Sequence, residues 1–138
     1  MQRFVKSVLL GAGLLAFTGG AHAAAPAKTL PEELHGNWFE DVNHAIPVCS
    51  NEDSGLLQVE AKDFTFPLQV GTVIDVTEVE MNRYRVRFWE ESASDGPKPP
   101  SPVERVQFWS LSHDAEHLFV SGNGMSLDLF RCRPQPTE

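Results

Sequence analysis

From Gly36 onward, apolar residues alternate with polar ones at a period of two, the spacing of a strand with one buried face. Trp38 opens the first such stretch. Leu57, Val59 and Ala61 then alternate with Gln58 and Glu60, and Phe64 and Phe66 continue until Pro67 stops them. Val70 to Val79 is rich in β-branched residues, with Val70, Thr72, Ile74 and Val76 on one face. Leu118-Phe119-Val120 makes a short strand, and Met125 to Cys132 the last one. Helical character is confined to one turn at Leu30-Pro31-Glu32-Glu33-Leu34, where Pro31 suits the first helical position and the glutamates favour its positive end. Asp41 to Ile46 is polar and irregular, while Asn51 to Gly55, Ser112 to Glu116 and Gly122-Asn123-Gly124 carry turn chemistry. Short strands at near-regular spacing predict an all-β chain, a small antiparallel meander that closes into a barrel, with a two-sheet sandwich as the alternative.

The clearest pairing lies between Arg83 and Leu111. Tyr84, Val86 and Phe88 alternate with Arg83, Arg85, Arg87 and Trp89, and Val106 and Phe108 alternate with Arg105, Gln107 and Trp109. A hairpin centred on Ser92 to Pro102 sets Phe88 against Val106, Val86 against Phe108, Trp89 against Arg105 and Arg85 against Trp109, so opposite positions sum to 194. Tyr84, Val86, Phe88, Val106 and Phe108 then share the buried face. Arg85, Arg87, Trp89, Arg105 and Trp109 form a basic and aromatic patch on the other, the candidate binding surface. The same face also reads, in the blander and favoured way, as a solvent-exposed ladder of cross-strand cation-π contacts, or, with the barrel inverted, as a polar ligand pocket. Gly96, Pro97, Pro99, Pro100 and Pro102 make the connection a semi-rigid, exposed arch.

The N-terminus changes the setting. Arg3 and Lys6 precede the apolar run Ser7 to Phe17, and Ala21-His22-Ala23 is a small-x-small cleavage site, so residues 1–23 read as a secretory signal peptide. The run is too short to span a membrane, and no cysteine stands beside the cleavage site to take a lipid. Residues 24–33 follow as a leader with its helical turn, 34–134 as the single domain and 135–138 as a tail. Loss of Arg3 and Lys6 takes the formal charge from −8 to −10. A chain this acidic repels phosphate backbones, which excludes nucleic acid as partner. In an exported chain the two cysteines, Cys49 and Cys132, read as one disulfide tying the first element to the last.

Leu34-His35-Gly36-Asn37-Trp38 resembles the Gly-x-Trp opening of lipocalin-like barrels, where a late arginine packs over the tryptophan. The resemblance gives Arg131 or Arg133 that role beside Gly36 and Trp38. The motif with Cys49 a dozen residues on is also similar to small exported bacterial barrels of the metalloprotease-inhibitor type. There the partner cysteine comes soon after, whereas here it is Cys132 at the far end. That family inhibits through a flexible N-terminal trunk, which Ala24 to Leu30 imitates loosely.

Candidate chemistry is sparse. His113 and His117 are four apart but flank a turn, where that spacing does not converge two ligands, and Asn51 to Ser54 lacks the alternation of a calcium loop. No Gly-x-Ser-x-Gly is present, both cysteines are committed to the disulfide, and no carboxylate pair is singled out by spacing. No catalytic residue, metal or cofactor is nominated. The expectation is a periplasmic or secreted, non-enzymatic binding protein, not membrane-spanning, that holds a small ligand or envelope component. The alternative is an inhibitor or interaction module that presents its leader or its proline arch to another exported protein.

Overall fold

Eight antiparallel strands close into a barrel in the order of the chain in a computed structural model of the protein, which describes residues 25–40, 49, 56–66, 69–92 and 102–133. The strands are β1 (Gly36–Glu40), β2 (Leu56–Val59), β3 (Asp63–Phe66), β4 (Gln69–Glu80), β5 (Arg83–Ser92), β6 (Val103–Leu111), β7 (His117–Gly122) and β8 (Met125–Arg131). β8 returns to β1 through the pairs Trp38↔Arg131, Phe39↔Phe130 and Glu40↔Leu129, so the sandwich alternative is set aside. Eight strands leave an interior just wide enough for side chains to fill. The expected signal peptide, the expected irregular stretch 41–46 and turn 51–55, most of the expected proline arch and the expected C-terminal tail lie outside the described residues.

The turns obey local chemistry. Asn123 and Gly124 both take positive φ (53° and 75°), the two-residue hairpin turn that matches strand twist, and Asn82 takes 58° between β4 and β5. Asn82 N–H donates to Glu78 Oε1 at 3.2 Å.

Two ends of the barrel differ. At the end where β2, β4, β6 and β8 finish, a 3₁₀ turn at Glu32–Leu34 lays Leu30 and Leu34 across the opening, both fully buried, and Trp38 sits beneath them. The indole N–H of Trp38 donates to Leu34 O at 3.0 Å. Arg131, opposite Trp38, holds its guanidinium carbon 4.2 Å from the ring centroid. Its nitrogens donate to Ala115 O and His35 O, both at 2.8 Å, and to Glu33 O. Of the two arginines the resemblance allowed, Arg131 takes the place over the indole. Gly36 makes the approach possible: its φ of 121° is closed to other residues, and a Cβ there would stand 3.3 Å from an Arg131 nitrogen. Before the turn, Ala27 pairs with Val76 through two 2.8 Å backbone bonds, which covers part of the β4 edge that β3 is too short to reach.

Cys49 and Cys132 are bonded, with Cα atoms 5.4 Å apart and 83 residues between them. Cys132 N–H donates to Asn37 O at 2.9 Å, at the plugged end, whereas β1 finishes at the other end. The disulfide therefore places Cys49 beside Cys132, near the plugged end.

The middle of the barrel is a packed aromatic and aliphatic core. Phe64 stands edge-on to Phe88 (4.8 Å between centroids) and to Trp109 (5.0 Å), with Leu57, Val59, Val86, Val120 and Leu129 around them. Gly71 lies opposite Phe64, and a Cβ there would come within 2.2 Å of the ring; only glycine lets the ring swing across to the axis.

Two expectations fail. In β4, Ile74 is an extra residue between the pairs Val73↔Phe88 and Asp75↔Arg87, and this bulge reverses the facing of the residues after it. Val70 and Thr72 are therefore not on Val76's face: Thr72 lies outside, across from Trp89, while Val76 joins the core. In the central hairpin the pairs are Tyr84↔Trp109, Val86↔Gln107, Phe88↔Arg105 and Trp89↔Glu104, sums of 193, one residue from the expected register. A shift of one flips every side chain of β6 relative to β5. Trp109 and Gln107 are buried beside Tyr84, Val86 and Phe88, and Val106 and Phe108 face out.

Candidate functional site

The register dissolves the expected patch and redistributes its members. Arg85, Arg87 and Trp89 remain on the outer wall. Trp109 is in the core, fully buried. Arg105, opposite Phe88, turns into the barrel mouth. The expected pairing of Trp89 with Arg105 goes with it, since the two lie on opposite faces.

On the outer wall Arg87 and Arg83 are paired with neighbouring carboxylates. Arg87 Nε donates to Asp75 Oδ2 at 3.0 Å, a second nitrogen reaches the same carboxylate, and a third donates to Glu104 Oε1 at 3.2 Å. The Asp75 hydrogen bond holds the guanidinium's pKa above its ordinary value, aided by the Coulombic pull of Asp75 and Glu104. Arg83 lies 5.3 Å from the centroid of Phe108 and 3.7 Å from Glu80. The wall is a cross-strand ladder of the kind that stabilises an exposed sheet, with Trp89 42% exposed at its edge.

The mouth is different. Inward positions of β5 run Tyr84, Val86, Phe88, Glu90, Ser92 and those of β6 run Leu111, Trp109, Gln107, Arg105, Val103, so β5 turns polar above Phe88 and β6 turns polar at Gln107 and Arg105 before ending on the exposed Val103. Arg105 and Glu90 meet above Phe88, Nε to Oε1 at 3.7 Å, close enough for Coulombic attraction but too long for a hydrogen bond. Arg105 Nε is buried and has no hydrogen-bond acceptor among the described residues, although its side chain as a whole is 40% exposed. Beneath it Gln107, only 3% exposed, accepts from the Trp109 indole N–H at 3.2 Å. Its amide nitrogen has the Met125 thioether, 3.7 Å away.

Compared with protein-family models, curated proteins and solved structures, this chain matches none. Its function has to be read from its own residues.

A recess of about 230 Å³ opens at the plugged end between Ala25, Ala27, Pro31, Glu33, Val76, Glu78 and Tyr84. Its polar groups already serve each other: Tyr84 Oη donates to Glu33 Oε1 at 2.7 Å. Burial, then this bond and the charges of Glu33 and Glu78, push the phenol well above its ordinary pKa. Among the described residues no three His, Cys, Asp or Glu side chains converge. His117 packs on Phe130 at 4.2 Å between centroids, while Asp114, between the two histidines, accepts from Ser112 Oγ and Glu116 N–H, bonds that lower its pKa.

Sequence reasoning placed Arg105 in the site but on the wrong face, and it missed Glu90 and Gln107. A usable signal was present. Leu111 shares parity with Trp109, and aligning Trp109 and Leu111 as inward residues carries Gln107 and Arg105 inward with them.

Proposed function

We propose that the protein is an exported, non-catalytic binding protein of the periplasm or cell envelope, and that it holds a small ligand, or a protruding group of an envelope component, at the barrel mouth. The observation that carries this reading is the inward-facing Arg105, whose buried Nε lacks an acceptor among the described residues, beside Glu90 and over Gln107. A buried donor without a partner costs about 1–3 kcal/mol, so a fold tolerates it where a ligand or water supplies the missing bond. The packed Phe64, Phe88 and Trp109 floor makes the site shallow, suited to a head group more than to an engulfed molecule. Export is supported by the signal-like N-terminus and the disulfide. The alternative, action through a free N-terminal trunk, is disfavoured from Ala27 onward, because Ala27 is hydrogen-bonded to the barrel wall.

The three tryptophans provide the test, since Trp38 reports on the plugged end, Trp109 on the floor of the mouth and Trp89 on the outer wall. Small-molecule extract from the native compartment, titrated into the labelled protein, is expected to move the Trp109 indole resonance and leave those of Trp38 and Trp89 in place. Movement of Trp89 alone would sink the mouth reading and return attention to the outer wall.

A further inference from the structure

We infer that the mouth selects an anionic oxygen group, a carboxylate or phosphate, gripped by Arg105 Nε and the side-chain amide N–H of Gln107; the inference rests on the mouth reading and adds the ligand's chemistry to it. The Gln107 amide has a fixed polarity. An indole N–H can only donate, so the Gln107 atom 3.2 Å from Trp109 Nε1 must be the oxygen, and the NH₂ is turned to the opposite side. There, among the described residues, it meets only the Met125 sulfur at 3.7 Å, a weak acceptor. Gln107 is nearly fully buried, so water does not make up the deficit from all sides. Immediately above, Arg105 Nε is a second buried donor without an acceptor among the described residues.

Two under-used donors, one of them cationic, thus stand at successive inward positions of β6, while the one acceptor on Gln107 is taken by Trp109. A neutral hydroxyl-rich ligand needs acceptors as well as donors, and on the Arg105 side the mouth offers it chiefly the Glu90 carboxylate. An anion needs only donors, and a guanidinium gives it charge-assisted bonds. Glu90 at 3.7 Å leaves the arginine N–H unoccupied, so an incoming anion displaces no hydrogen bond there, while sharing the guanidinium with this carboxylate keeps the affinity modest.

The test is a titration of the disulfide-bonded protein with potassium phosphate, sodium acetate and, at matched ionic strength, glycerol as the uncharged control, read by the Gln107 side-chain amide, Arg105 Nε and Trp109 indole resonances. Saturable movement with phosphate or acetate is expected, weakened about tenfold or more in Arg105→Met and in Gln107→Glu. Gln107→Glu keeps an oxygen for Trp109 and replaces the donor with an acceptor. Arg105→Met, at a half-exposed position, keeps the assay informative should the buried glutamate impair folding. Sedimentation with phosphatidylglycerol vesicles but not phosphatidylcholine, lost in Arg105→Met, would assign the anion to a lipid head group; saturation by phosphate or acetate without vesicle binding assigns it to a free solute. Response to neither anion, or an undiminished response in both variants, overturns the inference. If glycerol moves these resonances and the anions do not, the mouth still binds but the anion assignment is wrong. If the extract moves only Trp89, the mouth reading itself has failed.

Discussion

Arg131 and Arg105 both point into the barrel, one at each end, and their surroundings are opposites. Arg131 donates to three backbone carbonyls from two separate segments and lies on the Trp38 indole. Ala115, one of those acceptors, holds φ at 58°, a conformation unfavourable for alanine, in the turn that presents its carbonyl to the guanidinium. Arg105 has one charged partner among the described residues, Glu90, beyond hydrogen-bond distance. One arginine has every reason to stay where it is; the other is held in place with bonding capacity to spare. A residue that closes a fold is told apart in this way from one available to a ligand, though both are arginines at strand ends.

The largest expected effect comes from opening the plugged end. Trp38→Ala removes a fully buried indole from beneath Leu30 and Leu34 and the surface on which Arg131 stacks, and should cost about 3–5 kcal/mol in denaturant unfolding. Near-wild-type stability would mean that the plug is incidental. Opening the disulfide frees Cys132, at the same end, from Cys49, with an expected loss of about 2–4 kcal/mol on reduction. The native protein should show no free thiol before reduction, and two titratable thiols would refute the bond.

One substitution at each end tests the contrast between the arginines directly. Arg131→Met leaves three carbonyls short of a donor and should destabilise by about 2–3 kcal/mol, whereas Arg105→Met, which removes no hydrogen bond among the described residues, should stay within about 0.5 kcal/mol of wild type. Equal costs at the two sites would erase the distinction between them.

The smallest effect is spectroscopic. Tyr84 is the only tyrosine, and burial with the Glu33 bond raises its folded pKa above the unfolded value near ~10. Its contribution to stability is then fully present below that unfolded value and is lost as pH rises towards the folded one. Phenolate absorbance should be absent in the folded protein at pH about 11 and present in denatured chains at the same pH. Glu33→Gln should bring ionisation to lower pH, because it replaces the carboxylate with a neutral acceptor.

Some of these features were legible because they depend on few residues acting locally. The one-turn helix before Gly36, the hairpin turn at Gly122-Asn123-Gly124 and the pairing of the two cysteines each arise from a short stretch or from a count. The Trp38 and Arg131 contact came through resemblance at the chain's two ends. The bulge at Ile74 left no such trace: a run of β-branched residues tolerates an extra residue without changing its composition, yet the side chains from Asp75 to Glu78 change face before a second irregularity at Val79.

By itself the sequence determined that the chain is all-β, that its strands succeed one another as a meander and that Cys49 meets Cys132. These depend on period-two patterning, turn residues and the scarcity of cysteine, all local or combinatorial properties. Which face of β6 is inside was decided only by the tertiary structure, because both faces carry aromatics: Val106 and Phe108 on one, Trp109 and Leu111 on the other. Alternation specifies two faces without naming the inner one. Closing eight strands around Phe64, Phe88 and Trp109 settled it, since only the Trp109 face supplies the ring that packs against Phe64. The same choice carried Gln107 and Arg105 into the mouth, so the candidate site is a consequence of core packing at the far end of its own strand.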